Sequence, residues 1–408
     1  MRSPALLLTR ERRAVSGDEP AHRLLRLLCS TQERRAARAE EAGRLAAVVD
    51  APTLAALAAR QRLLGIVPGR LREAGLGAPA AELEALLGDV PRHERAEGGR
   101  LQLITLGLLL ELERHGIAAL ALKGPLLGEA LYGDAGARPS SDVDLLVGRD
   151  DLARAVDVVR AHAYRAPEDP PGPDGLPPLH WCLRPAAGSA PNVELHWRVH
   201  WHETTFSPQL LAHALPDPAW GRRAPVQWEL ATLLLIYARD GFAGLRMACD
   251  LATLADSDRA RALPDGAIAS VVDRVPELAG TLAAAALTAE RIVGMPAAPW
   301  TRRRPRPAPL VTRLADWRLL GDTVQLHAEQ RLVDVLVAPR HQRGAALRHQ
   351  LFPSLEELRW MIGDAAPGPI RRRHQLAHAP STLLRWMAPL RRGARVSTPR
   401  ASRSAGSS

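Results

Sequence analysis

The sequence predicts a mixed fold, α/β or α+β, in which a short sheet-forming stretch lies between two helical regions. Three observations predict it. Residues 21–116 carry apolar side chains at three- and four-residue spacing with few β-branched runs, the pattern of amphipathic helices. Between 117 and 163 strand-like and helix-like segments alternate, and a period-2 run follows at 192–202. From 205 the helical pattern returns.

Taken in order, AHRLLRLLCS, RRAARAEEAGRLAAVVD and PTLAALAARQRLL read as helices after an unstructured start over 1–20. Asp50-Ala51-Pro52 and the Gly/Pro pairs near 65–79 punctuate them. A further amphipathic helix runs over 100–116, with Gly116 as its stop. IAALAL (117–122) fits a buried strand, Lys123-Gly124-Pro125 opens a short helix to Tyr132, and GDAGARPSS (133–141) is a turn-rich loop. DVDLLV (142–147) reads as a strand and 150–163 as a helix. A loop with six prolines spans 165–178, and 179–184 and 192–202 are two more strands. Helices follow over 227–242, 244–258 and 271–294, then a basic proline-broken linker at 301–309, then helices at 310–338 and 354–362. The expected organisation is a helical region over 1–98, a core over 99–204, a second helical region over 205–364 and a basic, unstructured tail over 365–408.

A chain of 408 residues with 46% apolar residues can build two or three domains. No apolar run approaches the ~18 residues of a membrane span, and the start of the chain lacks a signal-peptide core. Three cysteines without a Cys-x-x-Cys fit a reducing cytoplasm. The net charge of +10 suggests nucleic acid until it is located. Residues 365–408 hold nine arginines and no acid, so 45 basic residues face 44 acidic ones over 1–364. The body is nearly neutral, which does not favour a long nucleic-acid groove. The tail can contact a polyanion or an anionic membrane surface. Of the 54 basic residues one is a lysine, Lys123, at the strand-to-helix turn. That is either chance or the mark of a place where a guanidinium fork will not substitute for a compact point charge, such as one on a phosphate.

The chemistry concentrates around this turn. On a strand Asp142 and Asp144 point to one face with Cα atoms ~6.6 Å apart, and two such carboxylates repel unless a cation lies between them. Hard oxygen ligands suit Mg²⁺ or Mn²⁺. Gly124 lets backbone N–H groups approach an anion at a helix N-terminus, and Arg138, Ser140 and Ser141 are donors just ahead of the carboxylates. In 192–202 the alternation puts Glu194, His196, Arg198, His200 and His202 opposite an apolar face. Glu194 would complete a metal triad with His196 beside it. At ~3.3 Å per residue along a strand, His200 lies too far from Glu194 to join the same site. Asp250 reads as a structural ion-pair partner, and Trp386 as a packing residue.

LKGPLLGEALYGDAGARPSSDVDLLV, followed by a helix and later by VELHW, resembles the uncharacterised bacterial nucleotidyltransferase family of the polymerase-β superfamily. The segment is also similar to abortive-infection nucleotidyltransferase toxins, which carry a Lys-Gly-Gly element, an Arg-x-Ser and an Asp-x-Asp. The resemblance covers roughly 117–200. It implies an α+β polymerase-β-like core, a small mixed sheet flanked by helices. It implies Mg²⁺ or Mn²⁺ held by Asp142, Asp144 and Glu194. It further implies an NTP whose triphosphate is gripped by Lys123, Gly124 and Arg138. Pro125 stands where the superfamily's phosphate element usually continues with serine. The implied reaction is transfer of an NMP group to a hydroxyl of a small-molecule, peptide or protein acceptor, with pyrophosphate leaving. Two alternatives are a toxin-like enzyme acting on tRNA and a degenerate nucleotide-binding scaffold.

Overall fold

The computed structural model describes residues 19–166, 176–177, 179–301, 307–315, 323–353, 355, 358 and 372–395. The expected unstructured start, most of the proline-rich loop, the arginines of the linker and the end of the tail lie outside these residues, as does most of 354–362.

Seven helices lead in: α1 (Glu19–Leu28), α2 (Gln32–Ala37), α3 (Ala39–Ala46), α4 (Ala51–Arg60), α5 (Val67–Glu73), α6 (Gly77–Leu87) and α7 (Val90–Arg114). Asp50 caps α4, its carboxylate accepting from the Thr53 N–H at 2.7 Å, and Pro52 fits the first turn. The sheet region holds β1 (Ala119–Ala121), α8 (Pro125–Tyr132), β2 (Asp142–Val147), α9 (Leu152–Ala161), β3 (Tyr164–Arg165), β4 (His180–Pro185) and β5 (Asn192–His196). After it come α10 (Phe206–His213), β6 (Leu215–Asp217), β7 (Gly221–Arg223), α11 (Val226–Arg239), α12 (Arg246–Ala255), α13 (Asp258–Arg261), α14 (Ala267–Arg274) and α15 (Ala279–Val293). The last described helices are α16 (Pro307–Leu314), α17 (Thr323–Val337), α18 (Arg343–Leu351) and α19 (Arg372–Arg395). Among the described residues no single helix is long and apolar enough to cross a membrane.

The main sheet has five strands in the order β1-β2-β5-β4-β3. The β2–β5 pair is parallel and the other pairs are antiparallel. This is the expected small mixed sheet with flanking helices, an α+β fold. Val143, Leu145, Val147, Val193, Leu195 and Leu183 are fully or almost fully buried, and α7 and α9 pack against the sheet. One connected apolar cluster runs from Ala21 to Val337, so helices from both ends of the chain share a core with the sheet.

Several elements differ from the sequence reading. Helix α7 begins at Val90 rather than 100, through Gly98-Gly99, and the expected boundary at 98/99 falls inside it. Gly98 is there because the chain at Ala135–Gly136 crosses it: a Cβ on Gly98 would stand 2.6 Å from the Ala135 carbonyl carbon. Strand β5 stops at His196 instead of 202. The buried Glu203 carboxylate gathers the N–H groups of Val199, His200 (3.0 Å) and Ser207 (2.6 Å), which bends the chain away from the sheet. The ribbon β6–β7 interrupts the helical region. Residues 372–395, expected to be unstructured, form α19 because Trp386 enters a small cluster with Leu314, Leu332 and Val335. Its indole N–H donates to the Ala328 carbonyl at 2.7 Å.

The adjacent glycines of α7 give a test. Gly98→Ala should cost about 1–3 kcal/mol through the forced backbone shift. Gly99→Ala, whose Cβ meets nothing within 4 Å, should stabilise by about 0.5–1 kcal/mol through helix propensity. Urea unfolding of the two variants reads the difference; equal and small effects would mean the crossing is looser than described.

Candidate active site

The site forms where the start of β2, the end of β1 and the middle of β5 meet. The register places Asp142 opposite Asn192, Asp144 opposite Glu194 and Leu146 opposite His196. On the other side of β5, Cys182 faces Glu194 and His180 faces His196. Side chains alternate along a strand, so Asp142, Asp144, Glu194, His196 and His180 all project from one face. The opposite face is apolar, which locks this register against a one-residue slip.

The Asp142, Asp144 and Glu194 carboxylates converge, each offering an oxygen within 4.8 Å of the others. Asp144 is 2% exposed, and its Oδ2 has no hydrogen-bond partner among the described residues. Its Oδ1 lies 3.1 Å from Lys123 Nζ and 3.2 Å from His196 Nε2. Burial pushes the Asp144 carboxyl up, but the Lys123 ammonium and then His196 outweigh it and hold the group far below the usual range. Glu194 is opposed by burial in the same way and lowered by His196, whose Nε2 is 3.3 Å from Oε2. Both carboxylates accept, so Nε2 of His196 carries the proton here.

Lys123 reaches this point because the Leu122 N–H still pairs with the Asp144 carbonyl at 3.1 Å, so β1 ends beside Asp144. Gly124 follows with φ 86° and ψ −152°, a conformation essentially reserved for glycine, and begins α8 with Pro125 in the first turn. Ser140 Oγ donates to Asp142 Oδ1 at 3.0 Å and orients that carboxylate. Ser141 is exposed.

Arg138 stands apart from the sequence expectation. It is 1% exposed, and its Nε donates to Asp250 Oδ2 at 2.7 Å across 112 residues. Tyr132 donates to the other oxygen of Asp250 at 2.8 Å. Arg138 is therefore paired through Nε in the interior, while its two terminal guanidinium nitrogens are buried without a hydrogen-bond partner among the described residues. The pair, with Arg246 donating to the Pro139 carbonyl at 2.6 Å, fastens the loop ahead of β2 to α12. Burial, followed by the charge of Arg138, lowers Arg246 to about 10. His200 and His202 lie beyond the end of β5. His200 is pushed down to about 3 by burial, while His202 sits 2.8 Å from Asp334 of α17. They do not join the carboxylates.

His180 was not singled out in the sequence. Its Nε2 is 3.8 Å from Glu194 Oε1, and its ring centroid is 4.6 Å from that of His196. The signal was present: Leu-His-Trp occurs at 179–181 and again at 195–197, in two strands that can pair as neighbours.

A family model described as an uncharacterised nucleotidyltransferase matches residues 47–262, more than half of the chain and all of the site. The chain belongs to that family. No curated protein and no solved structure matches the chain. The matched range contains the three convergent carboxylates, Lys123 and the Gly124 turn.

Removing one partner of a buried pair leaves an uncompensated charge, so Asp250→Ala should lower the unfolding free energy by about 3–5 kcal/mol. Removing the exposed Arg92–Asp89 pair should change nothing measurable. Chemical denaturation of both variants checks this, and an unaffected Asp250→Ala protein would show that the loop is held by other contacts.

Proposed function

We propose that the chain transfers a nucleoside monophosphate from an NTP to a hydroxyl of a small-molecule, peptide or protein acceptor, releasing pyrophosphate. One observation carries the reading: Asp142, Asp144 and Glu194 meet on adjacent parallel strands in a chain of the nucleotidyltransferase family. The three carboxylates are hard oxygen ligands, and the orphaned Asp144 Oδ2 asks for a partner, so the residues fit Mg²⁺ or Mn²⁺. A divalent cation bound there would lower the pKa of the acceptor hydroxyl and offset charge on the leaving pyrophosphate.

The chain's own groups do the rest. Lys123 neutralises Asp144 and is close enough to turn its ammonium to a phosphate oxygen when an NTP enters. The Gly124 turn and the N-terminus of α8 present backbone N–H groups to the same anion. Ser140 keeps Asp142 in one rotamer, which lowers the entropic cost of assembling the site. While no cation occupies the site, His196 Nε2–H bridges the Asp144 and Glu194 carboxylates. Arg138 holds the loop through its Nε bond to Asp250, and its two unpartnered terminal nitrogens remain for a phosphate oxygen. The body of the chain, nearly neutral over 1–364, favours a compact acceptor over a long nucleic acid, and the free cysteines suit a cytoplasmic setting.

Incubation with each α-labelled NTP, Mg²⁺ or Mn²⁺ and a fractionated cell extract should place label in the protein or small-molecule fraction. Asp144→Asn should abolish the transfer and leave the fold intact. Lys123→Arg should keep the charge yet raise the KM for NTP, because a planar fork does not replace a point charge. Label in the RNA fraction would identify a tRNA-type acceptor instead, and full turnover by Asp144→Asn would remove the carboxylate cluster from the reaction.

A further inference from the structure

We infer that His180, Glu194 and His196 form a second cation site, selective for a nitrogen-preferring divalent ion such as Zn²⁺ and sharing Glu194 with the all-carboxylate cluster. This adds to the nucleotidyl-transfer reading and does not depend on it, because the ligand is the ion itself.

The three side chains offer ligand atoms within 4.8 Å of one another, as a group distinct from Asp142, Asp144 and Glu194. Zinc bonds of about 2.0–2.1 Å place tetrahedral ligand atoms about 3.3–3.4 Å apart. His196 Nε2 to Glu194 Oε2 is 3.3 Å, and His180 Nε2 to Glu194 Oε1 is 3.8 Å, so small side-chain shifts close the set. Two imidazoles and one carboxylate with a free fourth position are a donor set of catalytic zinc sites. Imidazole nitrogen favours Zn²⁺ and its neighbours over Mg²⁺.

One further observation points to an ion. The His180 and His196 side chains are 30% and 1% exposed, which leaves one solvent-facing entry over a buried ligand. The Nδ1 atoms of both rings are buried without a hydrogen-bond partner among the described residues. The tautomer of a histidine is set by the hydrogen bond its other nitrogen makes. The Asp144 and Glu194 carboxylates keep the His196 proton on Nε2 while the site is empty, so an ion that takes up Glu194 must displace that proton to Nδ1. The same lack of outer partners makes the site exchangeable rather than structural, since such partners strengthen metal binding. Glu194, with one oxygen toward each histidine, belongs to both clusters and is placed to bridge two ions.

Titration of the full chain with Co²⁺ tests this. One ion should bind with the intense visible bands of low-coordinate cobalt, be displaced by equimolar Zn²⁺ and resist excess Mg²⁺. His180→Asn, near in size, and His180→Ala should each weaken binding by more than about tenfold. Asp142→Asn should retain the bands. Unchanged bands in both His180 variants, displacement by Mg²⁺ as readily as by Zn²⁺, or loss of the bands in Asp142→Asn would overturn the inference. None of these outcomes bears on whether labelled NMP is transferred, so the two proposals fail separately.

Discussion

Everything in the site depends on the parallel pairing of β2 with β5. That register sets Asp144 beside Glu194 and leaves the valines and leucines between them on the buried face. A slip of one residue would put Val193 in the cleft and Glu194 in the core, at the cost of an unpaired buried charge. The apolar alternation thus specifies the position of the carboxylates. Their mutual repulsion is offset locally by Lys123 and His196, both within 3.3 Å of an acid oxygen.

The surrounding helices hold the approach to β2 rather than the strand itself. Gly98 of α7 lets the chain at Ala135–Gly136 pass at close range, and α12 fastens the next residues through Asp250 and Arg246. A buried ion pair is weak evidence for stability, because desolvating two charges costs about as much as their attraction returns. Its geometric effect is clearer: Arg138 is fixed two residues ahead of Ser140, which orients Asp142. Residues more than a hundred positions apart therefore converge on one loop, and the helical segment around Asp250 belongs to the architecture of the site.

Much of this was legible in the sequence. The Asp-x-Asp strand, the lysine–glycine turn and Glu194 follow from period-2 alternation and from residue chemistry, and the Asp-x-Asp strand lies at the bounds read for it. What was not legible depends on partners distant in sequence. Arg138 looks like a free cation until Asp250 is brought to it. The run 192–202 alternates like one strand, but Glu203 recruits its backbone N–H groups and ends it at His196. His180 gains meaning only when β4 pairs with β5. The arginine-rich segment at 372–395 reads as a solvated tail by composition, and its helix depends on where Trp386 finds a pocket.

The central claim is that the carboxylate cluster binds the cation that accompanies a nucleotide. Calorimetric titration with a non-hydrolysable α,β-methylene NTP analogue, with and without Mg²⁺, addresses it without needing the acceptor. Saturable binding that requires Mg²⁺ and is lost in Asp142→Asn is the expected result. Binding of equal strength without Mg²⁺, or undiminished in that variant, would contradict it.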